Sequence, residues 1–209
     1  LGLGYALAVL VAVVGTILCG WLLSRLLRRP AADGLLTGGA VAICGASAAL
    51  AISAVLPQGK DHQRFTLLTV VGVTTLSTVA MVLYPLVAES LGLDARGAAI
   101  FLGGSIHDVA QVVGAGFMIS PEVGDGATLV KLMRVALLVP VVVIFAQVYR
   151  NAHDAHADAG APAAARPPLL PGCLVAFIAL VALNSIGVVP RPAATFMGEL
   201  SRWCLVVAI

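Results

Sequence analysis

One stretch, Phe101-Leu102-Gly103-Gly104-Ser105-Ile106-His107-Asp108-Val109-Ala110-Gln111, holds the polar groups most able to do chemistry. It puts an imidazole, a carboxylate and a carboxamide inside an apolar run, 98–118, long enough to cross a bilayer. An ionisable group at that depth costs about 2.5–3.5 kcal/mol on insertion scales and marks substrate or ion pathways. Gly103-Gly104 weakens the helix and predicts a break there. Ser105 would then cap the half-helix that follows, with Asp108 completing an S-x-x-[DE] capping box. On that reading Asp108 satisfies backbone amides and no more. The functional alternative uses the same geometry: a half-helix N-terminus offers free N–H groups and partial positive charge to an anion. His107 and Asp108 could handle protons, and Gln111 could orient a substrate. A buried neutral His107 bonded to a carbonyl is the plainer alternative.

Two further groups share this chemistry. Cys44-Gly45-Ala46-Ser47-Ala48-Ala49 is an almost all-small stretch. It either lets two helix backbones approach closely or marks a second broken helix, with Gly45 and Ser47 at its cavity. Lys131 and Arg134 are three apart and share a helix face. They either snorkel to the interface or turn inward to balance Asp108 or an anionic substrate. Cys44, His107 and Asp108 also have the residue types of a nucleophile, base and orienter, so an intramembrane enzyme is an alternative class.

The elements that would position these residues are membrane helices. The chain has 209 residues, 60% hydrophobic and 11% charged, against about 25% charged in soluble domains. A net charge of +2 gives no electrostatic footprint for nucleic acid. The four cysteines lie inside apolar runs without metal or disulfide spacing and read as small buried hydrophobes. Six runs reach spanning length: 1–24, 35–56, 65–88, 98–118, 129–149 and 169–189, and a seventh begins before Ile209. Both ends read as cut, so the single transmembrane domain, 1–209, is expected to be a fragment of a longer protein.

Between the runs, 57–64 is a polar loop with a solvated His62, and 119–128 is a turn. The hydroxyls of the third run, Thr66 to Thr78, can bond back to carbonyls one turn earlier. Pro85 is expected to bend or end that run. Residues 151–168 read as a flexible connector, and His153 and His156 there as solvated, with a metal site the lesser alternative. Strict alternation of spans puts Arg25, Arg28 and Arg29 inside with Arg96 and Arg150, and Lys60 and Arg64 outside, a modest bias.

Three segments carry a resemblance: Ile43-Cys44-Gly45-Ala46-Ser47-Ala48, Gly104-Ser105-Ile106-His107-Asp108-Val109-Ala110-Gln111-Val112-Val113, and Lys131-Leu132-Met133-Arg134-Val135. In order and spacing they resemble the family of bacterial inner-membrane proteins labelled sulfate exporters, also described as an uncharacterised conserved family. Asp108 stands where the family pattern usually has Glu. The resemblance implies an all-α polytopic bundle, part of an inverted-repeat transporter fold with crossed, discontinuous helices, in a multi-pass bacterial inner-membrane protein.

The expected function is secondary transport of a small anion, sulfate or a related sulfur oxyanion, with proton coupling. Gly45, Ser47, Gly103, Gly104, Ser105 and Gln111 would bind substrate, His107 and Asp108 would couple protons, and Lys131 and Arg134 would balance charge. No metal, cofactor or nucleic-acid partner is expected; the expected partners are the anion, the bilayer and, in a homo-oligomer, a second copy. No nucleotide-binding G-x-x-x-x-G-K-[ST] motif occurs. A non-transporting membrane scaffold is the competing class.

Overall fold

A computed structural model describes residues 3–57, 61–156 and isolated positions between 175 and 200. The chain divides into two units, Leu1–Leu169 and Leu170–Ile209. The sixth run and the seventh fall in the second unit and, but for positions such as Val175 and Leu183, lie outside the described residues. In the first unit the described regular elements are all helices: α1 (Leu3–Leu26), α2 (Ala31–Ala42), α3 (Ala46–Ser53), α4 (His62–Ser90), α5 (Ala95–Ser105), α6 (Val109–Ile119), α7 (Pro121–Ala136) and α8 (Leu138–His156). The protein is an all-helical, multi-pass membrane bundle.

Only three described stretches are continuous, long and apolar enough to cross a membrane: Val9–Leu26, His62–Ser90 and Pro121–Tyr149. The expected spans 35–56 and 98–118 are each two short helices. At 1.5 Å per residue, α2, α5 and α6 reach only about 16–18 Å and α3 about 12 Å, against a hydrocarbon core of about 30 Å.

Both interrupted segments are hairpins. A methyl group placed on Gly39 in α2 would collide with Ile52 Cδ1 in α3, thirteen residues on. A straight helix would hold those residues about 20 Å apart, so α3 folds back along α2. Gly45 makes the turn with φ 70°, in the half of conformational space that glycine enters freely. In the second hairpin α7 is the ruler. Ala99 of α5 lies against Gly126, Gly103 against Ala127 and Val130, and Gly116 of α6 against Gly124. Thus α5 runs with α7 and α6 runs against it, and the turn at 106–108 is their common tip.

The long helix α4 orders the two hairpins. His62 and Thr66, near its start, bond to or through Ser53 at the end of α3. Val73 faces the Gly45 turn. Ser77, the sixteenth of its 29 residues, meets the 106–108 turn. Beyond it Met81 faces Gly114, and Tyr84 stacks against Phe101 with ring centroids 5.3 Å apart. The first hairpin therefore lies along one half of α4, the second along the other, and their tips meet near its middle. A Cβ on Gly45 would sit 3.6 Å from the His107 Cβ.

Several expectations change with this geometry. Residues 119–128 are helical apart from Ser120, whose side chain accepts a bond from the Val123 amide and caps α7. Pro85 does not end α4, which continues to Ser90. The expected connector is helical as far as His156, and 157–168 lie outside the described residues. His62 is buried, not solvated, with Nε2 2.8 Å from Ser53 Oγ and 3.1 Å from the Ser53 carbonyl. That carbonyl can only accept, so Nε2 carries the proton.

Candidate functional site

The site forms where the two tips meet. Each tip ends one helix and begins another, leaving free carbonyls on one side and free amides on the other. The carbonyls of both tips and the amides of the second are met by specific side chains.

Lys131 and Arg134 take the carbonyls. Lys131 is 0% exposed and its Nζ donates to the Ile43 carbonyl at 2.6 Å and the Ile106 carbonyl at 2.9 Å, one from each tip. Arg134 is 6% exposed and does the same with a broader fork. Its Nε and Nη2 donate to the Ala42 carbonyl at 2.8 and 2.5 Å, and Nη2 to Val41 at 3.0 Å. Its Nη1 donates to Gly104 and, at 3.5 Å, to Gly103. The snorkelling alternative is overturned: with α5 and α6 on either side of α7, this face of α7 points at the tips. Neither cation pairs with Asp108, and the described residues give neither a carboxylate partner.

The amides have different partners. Ser77 Oγ, 1% exposed, accepts from the His107 amide at 3.2 Å and the Asp108 amide at 3.1 Å. Asp108 is itself the N-cap of α6, its Oδ1 accepting from the Ala110 amide at 2.8 Å. The break thus falls at 106–108 and not at the glycine pair. Ser105 is the last residue of α5, and its Oγ donates back to the Phe101 carbonyl at 2.5 Å, so the expected capping box does not form. Gly103 is a packing residue: a side chain there would strike the Ala127 carbonyl, and Val130 Cβ at 2.9 Å. Gly104 faces open space. On the first hairpin Gly45 is buried at the tip and gives α3 no side-chain cap, while Ser47 is exposed in its first turn.

Two buried polar atoms at the second tip, His107 Nδ1 and Gln111 Oε1, have no partner among the described residues. The Gln111 amide end is held, with Nε2 donating to Thr78 Oγ1 at 2.9 Å. Cys44 is buried at the first tip, but no hydrogen bond joins it to His107, so the nucleophile–base contact of the enzyme alternative is not made. No group of three metal-ligating side chains occurs among the described residues.

Two basic side chains, Lys131 and Arg134, thus face the C-termini of α2 and α5, and the N-termini of α3 and α6 begin at the same place.

Sequence reading expected His107, Asp108, Gln111, Gly45, Lys131 and Arg134 to share a site, and they lie in one neighbourhood. It missed Ser77 and Thr78. Four of the threonines do bond back along α4, Thr66 to His62, Thr74 to Val70, Thr75 to Val71 and Thr78 to Thr74. Ser77 does not, and a signal existed. Thr66, Thr69, Val73, Ser77 and Ala80 fall at spacings of three and four, a stripe of small side chains and the buried face of α4.

Comparison with known proteins bears on the whole chain. A family model described as conserved hypothetical protein 698 matches residues 1–209. The chain is 54% identical to the UPF0324 membrane protein TauZ of Paracoccus pantotrophus, over its whole length and 61% of that relative. It is 51% identical to the UPF0324 membrane protein CT0845 of Chlorobaculum tepidum, covering 57% of it, and 53% to RB0971 of Rhizobium meliloti, covering 59%. The chain therefore spans little more than half the length of these relatives. No solved structure matches it. With hairpin tips, buried cations and sequence in agreement on a membrane protein, the chain belongs to the conserved hypothetical 698 family of UPF0324 membrane proteins.

Proposed function

We propose that this chain forms the substrate-binding part of a secondary transporter that moves a small anion, of the size of sulfate or a related sulfur oxyanion, across the bacterial inner membrane. The observation that carries this reading is the pair of buried cations, Lys131 and Arg134. They hold both hairpin tips through backbone carbonyls and have no carboxylate partner among the described residues. A structural ion pair would neutralise itself, whereas this arrangement leaves a positive field at mid-height of α4. Half-helix termini meeting at that depth are how many secondary transporters build substrate sites, and the inverted-repeat architecture is part of the same proposal. In this reading Gly45, Ser47, Gly104 and Gln111 line the anion's position, and transport involves no covalent chemistry.

Asp108 and His107 are the proposed proton carriers, since they are the titratable groups of the tip that do not serve carbonyls. Orientation follows from the hairpins. Each returns to the side it left, so Arg25, Arg28, Arg29, Arg64 and Arg150 share one end of the bundle, and Arg96 is the one arginine among the described residues at the other. A cavity of about 500 Å³ lined by Arg29, Asp61, His62 and Tyr149 joins those helix ends. The positive-inside rule assigns that end to the cytoplasm.

The test is flux of radiolabelled sulfate and sulfite in proteoliposomes of the full-length protein under an imposed pH gradient. Transport should follow the gradient, and Asp108→Asn should remove that response. Asparagine caps a helix as well as aspartate does, so the variant stays folded. Normal coupling in Asp108→Asn sinks the proton role, and absence of flux for every anion tried favours a scaffold.

A further inference from the structure

The two unpartnered atoms at the second tip narrow the class of anion, if the transport reading holds. Side-chain amides can be flipped in a structure, but here the network fixes the orientation. The Thr78 hydroxyl spends its only proton on the Thr74 carbonyl, at 3.0 Å. Toward Gln111, 2.9 Å away, Thr78 Oγ1 can therefore only accept. The group facing it must be the Gln111 NH₂, which puts Oε1 on the opposite side, sealed from solvent and without a donor among the described residues. A carbonyl oxygen cannot donate, and a buried acceptor left unmade is costly. Its natural partner is an O–H or N–H from what occupies the tips.

We infer that the anion bound between the tips carries a hydrogen-bond donor beside its negative charge, and that Gln111 Oε1 receives it. His107 Nδ1, the other unpartnered atom, stands four residues before Gln111 on the same tip. It accepts from a second donor or donates to an anion oxygen according to its tautomer. A protonated oxyanion or an amino-substituted sulfonate meets both demands. Fully deprotonated sulfate, with four acceptors and no hydrogen, meets only the charge.

The experiment compares two anions that differ in this feature alone. Sulfamate and methanesulfonate each carry one negative charge and three sulfonate oxygens, with NH₂ in the first where the second has CH₃. Isothermal titration of the full-length protein in detergent, at fixed pH and ionic strength, should find sulfamate tighter by at least about tenfold, the size of one buried hydrogen bond. Gln111→Met should bring the two affinities within about twofold of each other, and Thr78→Val, which frees the amide to turn, should shrink the ratio. Equal binding of both anions to the unaltered protein overturns the donor requirement, with water as the partner of Oε1, and leaves the anion reading standing. A preference that survives Gln111→Met overturns the role of Gln111. If sulfamate, methanesulfonate and sulfate all fail to bind, the anion reading falls, and this inference with it.

Discussion

Lys131 is the residue on which both tips depend. Its ammonium group is the shared donor for Ile43 and Ile106, so replacing it strands a carbonyl on each hairpin. Each stranded buried acceptor costs about 1–3 kcal/mol. Lys131→Met should therefore lower the thermal unfolding midpoint in detergent well beyond the effect of an exposed control such as Leu132→Met. Ser77→Ala strands two amides, His107 and Asp108, and should lose stability by a similar amount in the same scan. At this scale the sequence was partly legible. The i, i+3 spacing put Lys131 and Arg134 on one face, but a single helix cannot say whether that face meets lipid or protein. The decision lies in the C-terminal ends of α2 and α5, which present carbonyls to it.

Between elements, glycine position decides how closely helices pack. Gly103 and Gly104 are adjacent in sequence but opposite in consequence. A methyl at 103 meets the Ala127 carbonyl, and one at 104 meets nothing within 4 Å. Gly103→Ala should push α5 from α7, disturb the Arg134 contacts and lower both folded yield and unfolding midpoint. Gly104→Ala should leave stability unchanged or slightly raised, since alanine is the better helix former. The same scan of purified protein checks both. Gly45→Ala should cost about 1–3 kcal/mol because φ 70° strains any residue with a Cβ. The glycine pair announced that something other than ordinary helix was needed nearby, and the break does lie three residues on. Its location was not legible, because a missing Cβ serves a close approach as readily as a turn. Asp108 decided it, ending up as the cap where Ser105 was expected.

For the molecule as a whole, hairpins change the topology. Strict alternation separates Arg28 from Arg64, while the folded chain puts them at one end. A set of single cysteines in a background lacking Cys19, Cys44, Cys173 and Cys204 distinguishes the two. With an impermeant thiol reagent, Arg28→Cys, Gln63→Cys and Asn151→Cys should label from the cytoplasmic side. Glu89→Cys and Glu122→Cys should label from the other. Alternating spans would put position 63 opposite position 28. Hydropathy found the apolar stretches at 35–56 and 98–118, and correctly, but length and composition are the same for a span and for a folded-back pair. What separates them is a long-range contact such as Gly39 with Ile52, which no local pattern encodes.

One consequence follows from where α4 is gripped. It is held at its centre by Ser77, with one hairpin along its first half and the other along its second. A beam fixed at the middle pivots. Any tilt that lifts α4 off one hairpin presses it toward the other. On the transport reading, loosening at one membrane face would be geared to tightening at the opposite face.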